Sequence, residues 1–492
     1  MNDDFDVIVV GGGNAGFCAA HAARQTGALV LILEKASPDE AGGNSFYTAG
    51  AFRFAYPDQQ SVVDLVEPDP QDRLARTVIP PYPQSAFTED MYRVTDGKCD
   101  PPMTEILVSQ SSETMRWLRD CGLRFRLSYE RQAYETDSIY TFFGGLAVIT
   151  VDGGKGLVAQ HTAAARATGI ELRYDSPMTD LVLSDGAVTG VRYRDSGGAA
   201  QTVNARSVIL TAGGFESNPA MRAKYLGPDW EHALVRGTPS NTGEVLQCAL
   251  DHGAAPFGDW SSCHSVQWES GAAPGGGNRE LTNQLTRQSY PIGIVVNAGG
   301  ERFVDEGADF RNYTYAKYGQ AVLAQPGGVA YQIFDAKTRP LLRSEEYDSE
   351  PITSATADSI EELASKLGID IAAFADTVRA FNASIDQKPF QPEIKDGRRA
   401  NVVPPKSNWA LEIDTPPFYG YAVACGITFT FGGVQINEKA QVLGSGGSVI
   451  PGLYAAGEIV GGLFSGNYPG ASGLTAGAVF GRIAGTAAVQ EA

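Results

Sequence analysis

Residues 5–35 carry the pattern that most restricts how this chain can fold. The apolar run FDVIVV is followed by GGGNAG, in which Gly11, Gly13 and Gly16 have the spacing GxGxxG. The next segment, FCAAHAARQTG, predicts a helix, and ALVLILEK predicts a second buried strand ending in Glu34, 18 positions past the last glycine. In such a β-α-β unit the glycines let a pyrophosphate approach the helix N-terminus, and the acidic residue binds ribose hydroxyl groups. The pattern predicts a bound dinucleotide but does not separate FAD from NAD.

A second glycine-rich stretch, GGNSFYTAGAFRFAY, covers residues 42–56. It is rich in aromatic residues and carries a single charge, Arg53. Clustered glycines usually mark places where the backbone approaches another backbone or a ligand. An arginine in so apolar a setting usually holds an anion or a carbonyl group, so Arg53 is a candidate substrate ligand.

Four motifs together resemble the fumarate reductase/succinate dehydrogenase flavoprotein superfamily: VIVVGGGNAG, LILEK, GGNSFYTAG and GLYAAGE. The stretches GGNSFYTAGAFRFAY, CGITFTFGG and NYPGASGLTAGAVFGRIAG are most similar to its tricarballylate dehydrogenase-like branch, and the resemblance covers nearly the whole chain. It implies that the dinucleotide is FAD and that the second glycine loop lies against the flavin ring. Covalent members of the superfamily use a histidine in that loop, and this loop has none, so we expect FAD to be bound without a covalent link.

The resemblance also implies the fold class, an α/β protein with a Rossmann-type, glutathione-reductase-like FAD-binding domain and an inserted α+β capping domain. The sequence pattern changes near residue 265 and returns near 425. We therefore expect an FAD-binding domain over 1–264, a substrate-capping domain over 265–425, and a return to the FAD-binding domain over 426–492.

The expected cofactor contacts come from the glycine loops, the strand ends and the start of a C-terminal helix predicted near Ser472. The positive end of that helix would stabilise negative charge on the reduced flavin. The full set is Gly11, Gly13, Asn14, Ala15, Gly16, Glu34, Lys35, Gly42, Gly43, Asn44, Ser45, Thr48, Ala49, Gly50, Ala212, Gly213, Gly214, Gly457, Glu458, Ala471, Ser472, Gly473 and Leu474.

Composition excludes several classes of partner. The chain has 38 basic and 57 acidic residues, a net charge of −19, which disfavours nucleic acid and anionic membrane surfaces. Its six cysteines are scattered without a CxxC pair, so we expect reduced thiols, no metal site and a cytoplasmic location. The sequence predicts neither a signal peptide nor a transmembrane helix.

The segment PIGIVVNAGGERFVDEGADFRNYTYAKYG resembles the region that carries the catalytic arginine of soluble fumarate reductases. In those enzymes that arginine lies four residues past a glutamate that corresponds to Glu306. Position 310 is phenylalanine here, and the arginine follows as Arg311. The resemblance therefore implies that Arg311 relays a proton or binds substrate. The alternative is a surface salt bridge to Asp305 or Asp309.

Three further side chains are candidates for substrate binding beside Arg53. Arg279 and Arg287 flank ELTNQLT just before the Arg311 region, and either could bind a carboxylate or face solvent. His264, in SSCHSVQW, falls near the substrate-binding histidine of fumarate reductases, and the alternative is a buried structural histidine.

The sequence departs from the fumarate reductase pattern at three positions. Those enzymes have a histidine in the stretch that reads GITFTFGG here, where this chain has Thr428 and Phe429. Their carboxylate-binding arginine near the C-terminus is replaced by Tyr468, in GNYPGASG. NYPG is also similar to 3-ketosteroid dehydrogenases, in which the tyrosine helps polarise a substrate carbonyl. Tyr468 is therefore a candidate catalytic residue that hydrogen-bonds a substrate oxygen, and Thr428 and Phe429 are candidate substrate contacts.

The leading hypothesis is that the protein is an FAD-dependent oxidoreductase that inserts or removes a double bond next to a carboxylate. The specific substrate that we predict is tricarballylate. The alternatives are a dehydrogenase or ene-reductase of a larger keto substrate, and a non-catalytic flavin-binding electron-transfer subunit. The enzyme readings need a small acid or keto substrate. They also need an electron acceptor: a quinone, a partner redox protein or dioxygen.

Overall fold

The computed structural model describes residues 4–491, and within that range one large sheet has eight strands. Five of its strands are joined by four parallel pairings and form its core, and three antiparallel pairings add the remaining strands at the sides. Its strands are Asp4–Val10, Val30–Leu33, Glu171–Arg173, Met178–Ser184, Ala187–Arg194, Ala200–Leu210, Gln441–Leu443 and Val449–Ala455.

The parallel pairings of this sheet place several loops at one edge. Asp4–Val10 lies between Val30–Leu33 and Ala200–Leu210, and Val449–Ala455 pairs with the latter. All of these pairs are parallel, so the carboxyl ends of the strands meet at the same edge. The predicted β-α-β unit is confirmed, with the helix Asn14–Gln25 between its two strands.

A second sheet, of six strands within the described range, is arranged around one long strand. Phe418–Thr430 pairs with four of the others. The remaining strands are Leu234–Val235, Cys263–Glu269, Ile294–Val296, Val329–Phe334 and Ser354–Ala357. The fold class predicted from the sequence is confirmed; the domain boundaries stay a prediction.

The helices complete both layers, and three small sheets join the loops between them. The small sheets are formed by Ala51–Phe52 with Val148–Thr150 and Phe125–Leu127, by Thr77–Val78 with Ile139–Phe142 and Ala133–Thr136, and by Pro256–Phe257 with Gly433–Val434. The α-helices are Asn14–Gln25, Gly43–Tyr47, Gln59–Val63, Gln84–Val94, Pro101–Asp120, Tyr129–Gln132, Gly153–Ala167, Pro219–Tyr225, Glu244–Asp251, Tyr315–Leu323, Ser344–Tyr347, Ile360–Leu367, Ile371–Ala383 and Ser472–Gln490.

The C-terminal helix begins at Ser472, as the sequence predicted, and packs on the helix Asn14–Gln25. The segment 57–100 is rich in proline and charged residues, a composition typical of irregular surface loops, yet part of it is helical. The helix Gln84–Val94 forms there and buries Phe87 completely. Pro83 stands just before this helix, where proline removes no intrahelical hydrogen bond, so the proline-rich composition was misleading.

None of the helices found between residues 4 and 491 combines the length and the apolar character needed to cross a membrane.

Candidate active site

The loop after the first strand depends on glycine at two positions. Gly11 has a φ of +108°, and a Cβ atom there would lie 2.6 Å from the carbonyl oxygen of Thr211. A Cβ atom at Gly16, in the first turn of the following helix, would lie 2.0 Å from the carbonyl oxygen of Gly11. Glycine therefore allows the tight turn and brings the helix N-terminus to the sheet edge, where it suits a pyrophosphate.

Glu34 faces this loop from the end of the second strand. Its Oε2 atom accepts a hydrogen bond from the Gly12 amide at 2.8 Å, and its Oε1 atom accepts one from the Ala36 amide at 2.8 Å. Burial raises the pKa of Glu34, while these amide donors act in the opposite direction. The carboxyl group is thus fixed beside the glycine loop, as a ribose ligand would be.

A cavity of about 630 Å³ starts at the glycine loop and reaches the second sheet. Its size is in the range of small-molecule and cofactor sites. Because the loop, the acidic residue and two helix N-termini all face it, the cavity fits a dinucleotide. The predicted cofactor residues that line it are Gly11, Gly13, Asn14, Ala15, Glu34, Lys35, Gly43, Asn44, Ser45, Thr48, Ala49, Ala212, Gly213, Gly457, Glu458, Ala471, Gly473 and Leu474. The cavity is not lined by the others, Gly16, Gly42, Gly50, Gly214 and Ser472.

The side-chain amide of Asn44 anchors the second glycine loop through both its nitrogen and its oxygen. The Nδ2 atom donates to Glu216 Oε1 at 2.6 Å and to the carbonyl oxygen of Thr428 at 2.7 Å. The Oδ1 atom accepts from the Thr238 amide at 2.9 Å. The side chain therefore ties this loop to the end of the long strand Phe418–Thr430.

Two buried carboxyl groups, Glu216 and Glu458, face each other behind the loop. Asn241 Nδ2 donates to both, at 2.7 Å and 3.3 Å. Burial raises the pKa of each, and the neighbouring charge of Glu458 raises that of Glu216 further. Glu216 Oε2 has no donor among the described residues, and a proton between the two carboxyl groups would satisfy it. Burial and close contact therefore favour a proton shared between the two carboxyl groups.

Two arginines line the far end of the cavity without an acidic partner in residues 4–491. Arg236 donates only to hydroxyl groups, to Thr428 Oγ1 at 3.0 Å and to Thr286 Oγ1 at 3.2 Å, and burial lowers its pKa. Arg311 lies 5.2 Å from the ring centroid of Phe143, and its Nη2 atom is buried without a hydrogen-bond partner. An anion in the cavity would supply the counter-charge that both lack.

The predicted alternative for Arg311, an ion pair with a nearby aspartate, does not form. Asp309 instead pairs with Arg93 and with Lys395, and Asp305 accepts hydrogen bonds from Ser407 and the Gly307 amide.

His264 lines the same end of the cavity. It lies opposite Phe429 in the second sheet, and the strand register shifts between His264 and Ser265. Such a bulge redirects the side chain locally. Both ring nitrogens are buried without a partner among the described atoms, and burial together with the charge of Arg236 lowers its pKa well below the usual value. The imidazole is therefore neutral and free to bind a polar ligand atom.

Tyr468 and Tyr315 form a hydroxyl pair beside this histidine. Burial raises the pKa of both phenols, so both stay protonated near neutral pH. The ring centroids of Tyr468 and His264 are 4.8 Å apart, and those of Phe429 and Tyr468 are 5.1 Å apart. The site thus has one aromatic wall with a paired hydroxyl donor.

The other three predicted substrate arginines do not line the cavity. Arg53 is fully buried and donates to the carbonyl oxygen of Gly470 at 2.8 Å and to Tyr313 Oη at 3.0 Å. Arg279 lies 3.4 Å from the ring centroid of Phe46, and Arg287 is paired with Glu269 at 2.7 Å. Each has partners within the protein and none lines the cavity, so their role as substrate ligands stays a prediction that this geometry does not favour.

Sequence reasoning missed Arg236 and Tyr315. Arg236 was detectable, because it is a lone charge in the stretch ALVRGTPSNTG, much like Arg53 in its own loop. Tyr315 had no comparable signal, since it stands among several tyrosines in RNYTYAKYG.

Comparison with known proteins places this geometry in a family. The FAD binding domain model matches residues 6–474. A probable fumarate reductase of Shewanella frigidimarina is 30% identical over 99% of this chain and 75% of its own length. The open conformation of a flavocytochrome c3 fumarate reductase has a TM-score of 0.73 at 27% identity, covering 99% of this chain and 78% of that one. The 3-ketosteroid Δ1-dehydrogenase of Sterolibacterium denitrificans has a TM-score of 0.77 at 21% identity, covering 100% of both chains, which shows a shared fold.

The chain belongs to the FAD-binding domain family of the fumarate reductase type. It binds FAD and is an oxidoreductase acting on carbon–carbon double bonds, so the alternative of a non-catalytic flavin carrier is set aside.

Proposed function

We propose that the protein inserts or removes a carbon–carbon double bond next to a carboxylate, with tricarballylate and cis-aconitate as the pair to test first. The observation that carries this proposal is that Arg236 and Arg311 line one end of the cavity and lack an acidic partner among the residues described. A buried cation without a counter-charge is costly, and a substrate carboxylate would remove that cost.

The residues at this end have complementary roles in such a reaction. Bound FAD supplies the hydride acceptor or donor. Arg236 binds a carboxylate, and Arg311 binds a second one or relays the proton at the α carbon. His264, neutral, accepts or donates one hydrogen bond to the substrate, and Tyr468 donates to a carboxylate or carbonyl oxygen.

A keto substrate is the second candidate, and the hydroxyl pair favours it. Tyr468 and Tyr315 are both protonated, and a paired phenol is a suitable donor to a ketone oxygen. The nearby ring of Phe429 would pack on an apolar substrate body. In that case the two arginines would contribute little to binding.

The electron partner and the location remain as the sequence predicted them. We propose a quinone, a partner redox protein or dioxygen as acceptor, and the cytoplasm as the compartment.

Anaerobic spectroscopy of the flavin tests the proposal. Tricarballylate is expected to bleach the oxidised holoenzyme, or cis-aconitate to reoxidise the dithionite-reduced one. Succinate, fumarate and an enone-forming ketone are the comparison compounds. If only the ketone changes the flavin spectrum, the acid assignment is wrong and the keto reading replaces it. Because Thr428, Phe429 and Tyr468 replace side chains with which fumarate reductases bind a short dicarboxylate, we expect fumarate and succinate to be poor substrates, and finding either to be the best one would contradict this expectation.

A further inference from the structure

A second cavity, of about 280 Å³, adjoins the substrate end of the first. The two cavities share three lining residues, Arg131, Gln288 and Arg311. A ligand that contacts Arg311 in the first cavity therefore has space beyond that side chain. Neither the predicted FAD contacts nor the proposed reaction makes use of this space.

The lining of the second cavity is mixed: the polar side chains of Glu130, Arg131, Gln288, Ser289 and Arg343 stand beside a group of aromatic and aliphatic side chains. This group includes Tyr134, Phe143, Phe310, Trp409, Ile292 and Leu342. The Phe310 ring is stacked on Phe143 with centroids 5.2 Å apart, and it packs on Trp409 at 5.6 Å. This aromatic wall offers contacts to a ring or an alkyl group.

The charges around the second cavity are neutralised, with one exception. Glu346 pairs with Arg131 at 3.0 Å and with Arg343 at 2.9 Å, and Arg343 also donates to Gln288 at 3.1 Å. Arg311, at the junction, has no acidic partner within residues 4–491. The junction therefore suits an anionic group, and the space behind it suits an uncharged one.

We propose that the second cavity is a substrate subsite that takes an uncharged, apolar or aromatic substituent of the acid whose carboxylate Arg311 binds. The inference rests on the proposed function and narrows it: the physiological substrate is a substituted carboxylic acid, and tricarballylate fills only the first cavity. The size agrees, since an apolar cavity of roughly 150 Å³ already holds a benzene ring. The margin of the cavity at Leu341 and Ser344 is exposed, so a substituent can reach it from solvent.

Titration calorimetry of the FAD-loaded protein with succinate and with 2-benzylsuccinate tests this subsite, because the two acids differ only by the benzyl group. We expect 2-benzylsuccinate to bind at least tenfold more tightly. Phe310→Ala removes part of the aromatic wall and should abolish most of that advantage while leaving the affinity for succinate within about twofold. Equal affinities of the two acids, or equal losses in the variant, would overturn the subsite.

A second variant keeps the test independent of folding defects next to Arg311. Ser344 lies at the exposed margin, so Ser344→Trp should weaken 2-benzylsuccinate binding alone, and Ser344→Ala is the matched control without added bulk. The contrary outcome is that both variants fold and still bind 2-benzylsuccinate as tightly as the wild type does. In that case the second cavity is only a solvent channel, and the subsite is wrong. If neither acid binds the wild type while an enone-forming ketone does, the proposed function itself is wrong, and the subsite for an acid with it.

Discussion

The side-chain hydroxyl groups of Tyr315 and Tyr468 are hydrogen-bonded to each other at the substrate end of the cavity. The two residues are 153 positions apart in the chain, so the pair exists only in the folded protein. One hydroxyl can donate to its partner, which leaves the proton of that partner for a substrate oxygen.

We expect Tyr468→Phe to lower kcat/KM by about 10²-fold, because it removes a hydrogen-bond donor to the charge that develops on the substrate oxygen. Tyr315→Phe should have a smaller effect, because it acts through Tyr468. Steady-state kinetics with tricarballylate and with a ketone measure both. Tyr331→Phe, in the second sheet and outside the cavity, is the control. An unchanged kcat/KM in Tyr468→Phe would mean that the phenol only packs beside the cofactor.

Arg236→Ala should raise KM for the acid by about 10–100-fold, the range for losing a hydrogen bond to a charged group. The matched control is Thr428→Val, which removes the hydroxyl that accepts from Arg236 but keeps the positive charge. Its effect on KM should be several-fold smaller. Equal effects of the two substitutions would show that Arg236 supports the strand end and does not bind substrate.

Arg311→Ala should retain FAD and lower kcat and kcat/KM together, by about 10²–10⁴-fold if the side chain relays the proton. Arg311→Lys keeps the charge, so it should recover substrate binding better than turnover. The flavin absorbance ratio of the purified variants checks cofactor content. Wild-type turnover in Arg311→Ala would transfer the role to Arg236, which also lies at this end of the cavity without an acidic partner among the described residues.

Arg287→Ala should destabilise the protein without a specific change in KM. Its guanidinium group pairs with Glu269, and both side chains are fully buried, so the substitution leaves a buried charge alone. Breaking such a pair costs about 3–5 kcal/mol, which should lower Tm by roughly 3–5 °C in a chain of this length. Arg279→Ala, which removes a half-buried arginine over the Phe46 ring, is the control and should shift Tm much less. A stable Arg287→Ala protein with a raised KM would restore the sequence-based assignment.

The shared proton of Glu216 and Glu458 should make stability depend on pH. The folded-state pKa of Glu216 is raised by burial and by Glu458, so the folded protein binds this proton more tightly than the unfolded chain does. Stability therefore falls as pH rises from the unfolded pKa, about 4.3, towards the raised folded value. Glu216→Gln keeps an oxygen for Asn44 and Asn241 and removes the titration.

Thermal melts of the wild type and Glu216→Gln across this pH range measure the difference. The wild type should lose more stability with rising pH than the variant. Parallel profiles would mean that the pair does not hold a proton in the folded state. The other groups around Glu216, chiefly Arg222 and Cys263, are the same in both proteins and cancel in the comparison.

The sequence predicted the dinucleotide end of the site well, because that end is built from one local unit. Gly11, Gly16 and Glu34 lie within 24 residues of one another. Their spacing is the one that a β-α-β unit requires, so the local sequence is enough to predict their relative positions. The C-terminal helix start at Ser472 was predictable for the same reason.

The substrate end could not be derived locally, because its side chains come from distant segments. Arg236, His264, Arg311 and Tyr468 meet only when the second sheet packs on the first, and spacing in sequence carries no information about that packing. Resemblance supplied three of them. Arg236, which the sequence did not single out, and Arg287, which its position in the sequence did suggest, differ in whether a carboxylate of the protein neutralises them.

The long strand Phe418–Thr430 has a mechanical consequence. It runs through the second sheet, and its last residues are held by Asn44 from the flavin-facing loop and by Arg236. A closely hydrogen-bonded strand transmits displacement with little stretch, whereas a loop would absorb it. A rotation of the second sheet would therefore displace Thr428 and Phe429 as a rigid unit. A movement of this sheet that opened the site for product release would also displace the part of the cavity wall that these two residues form.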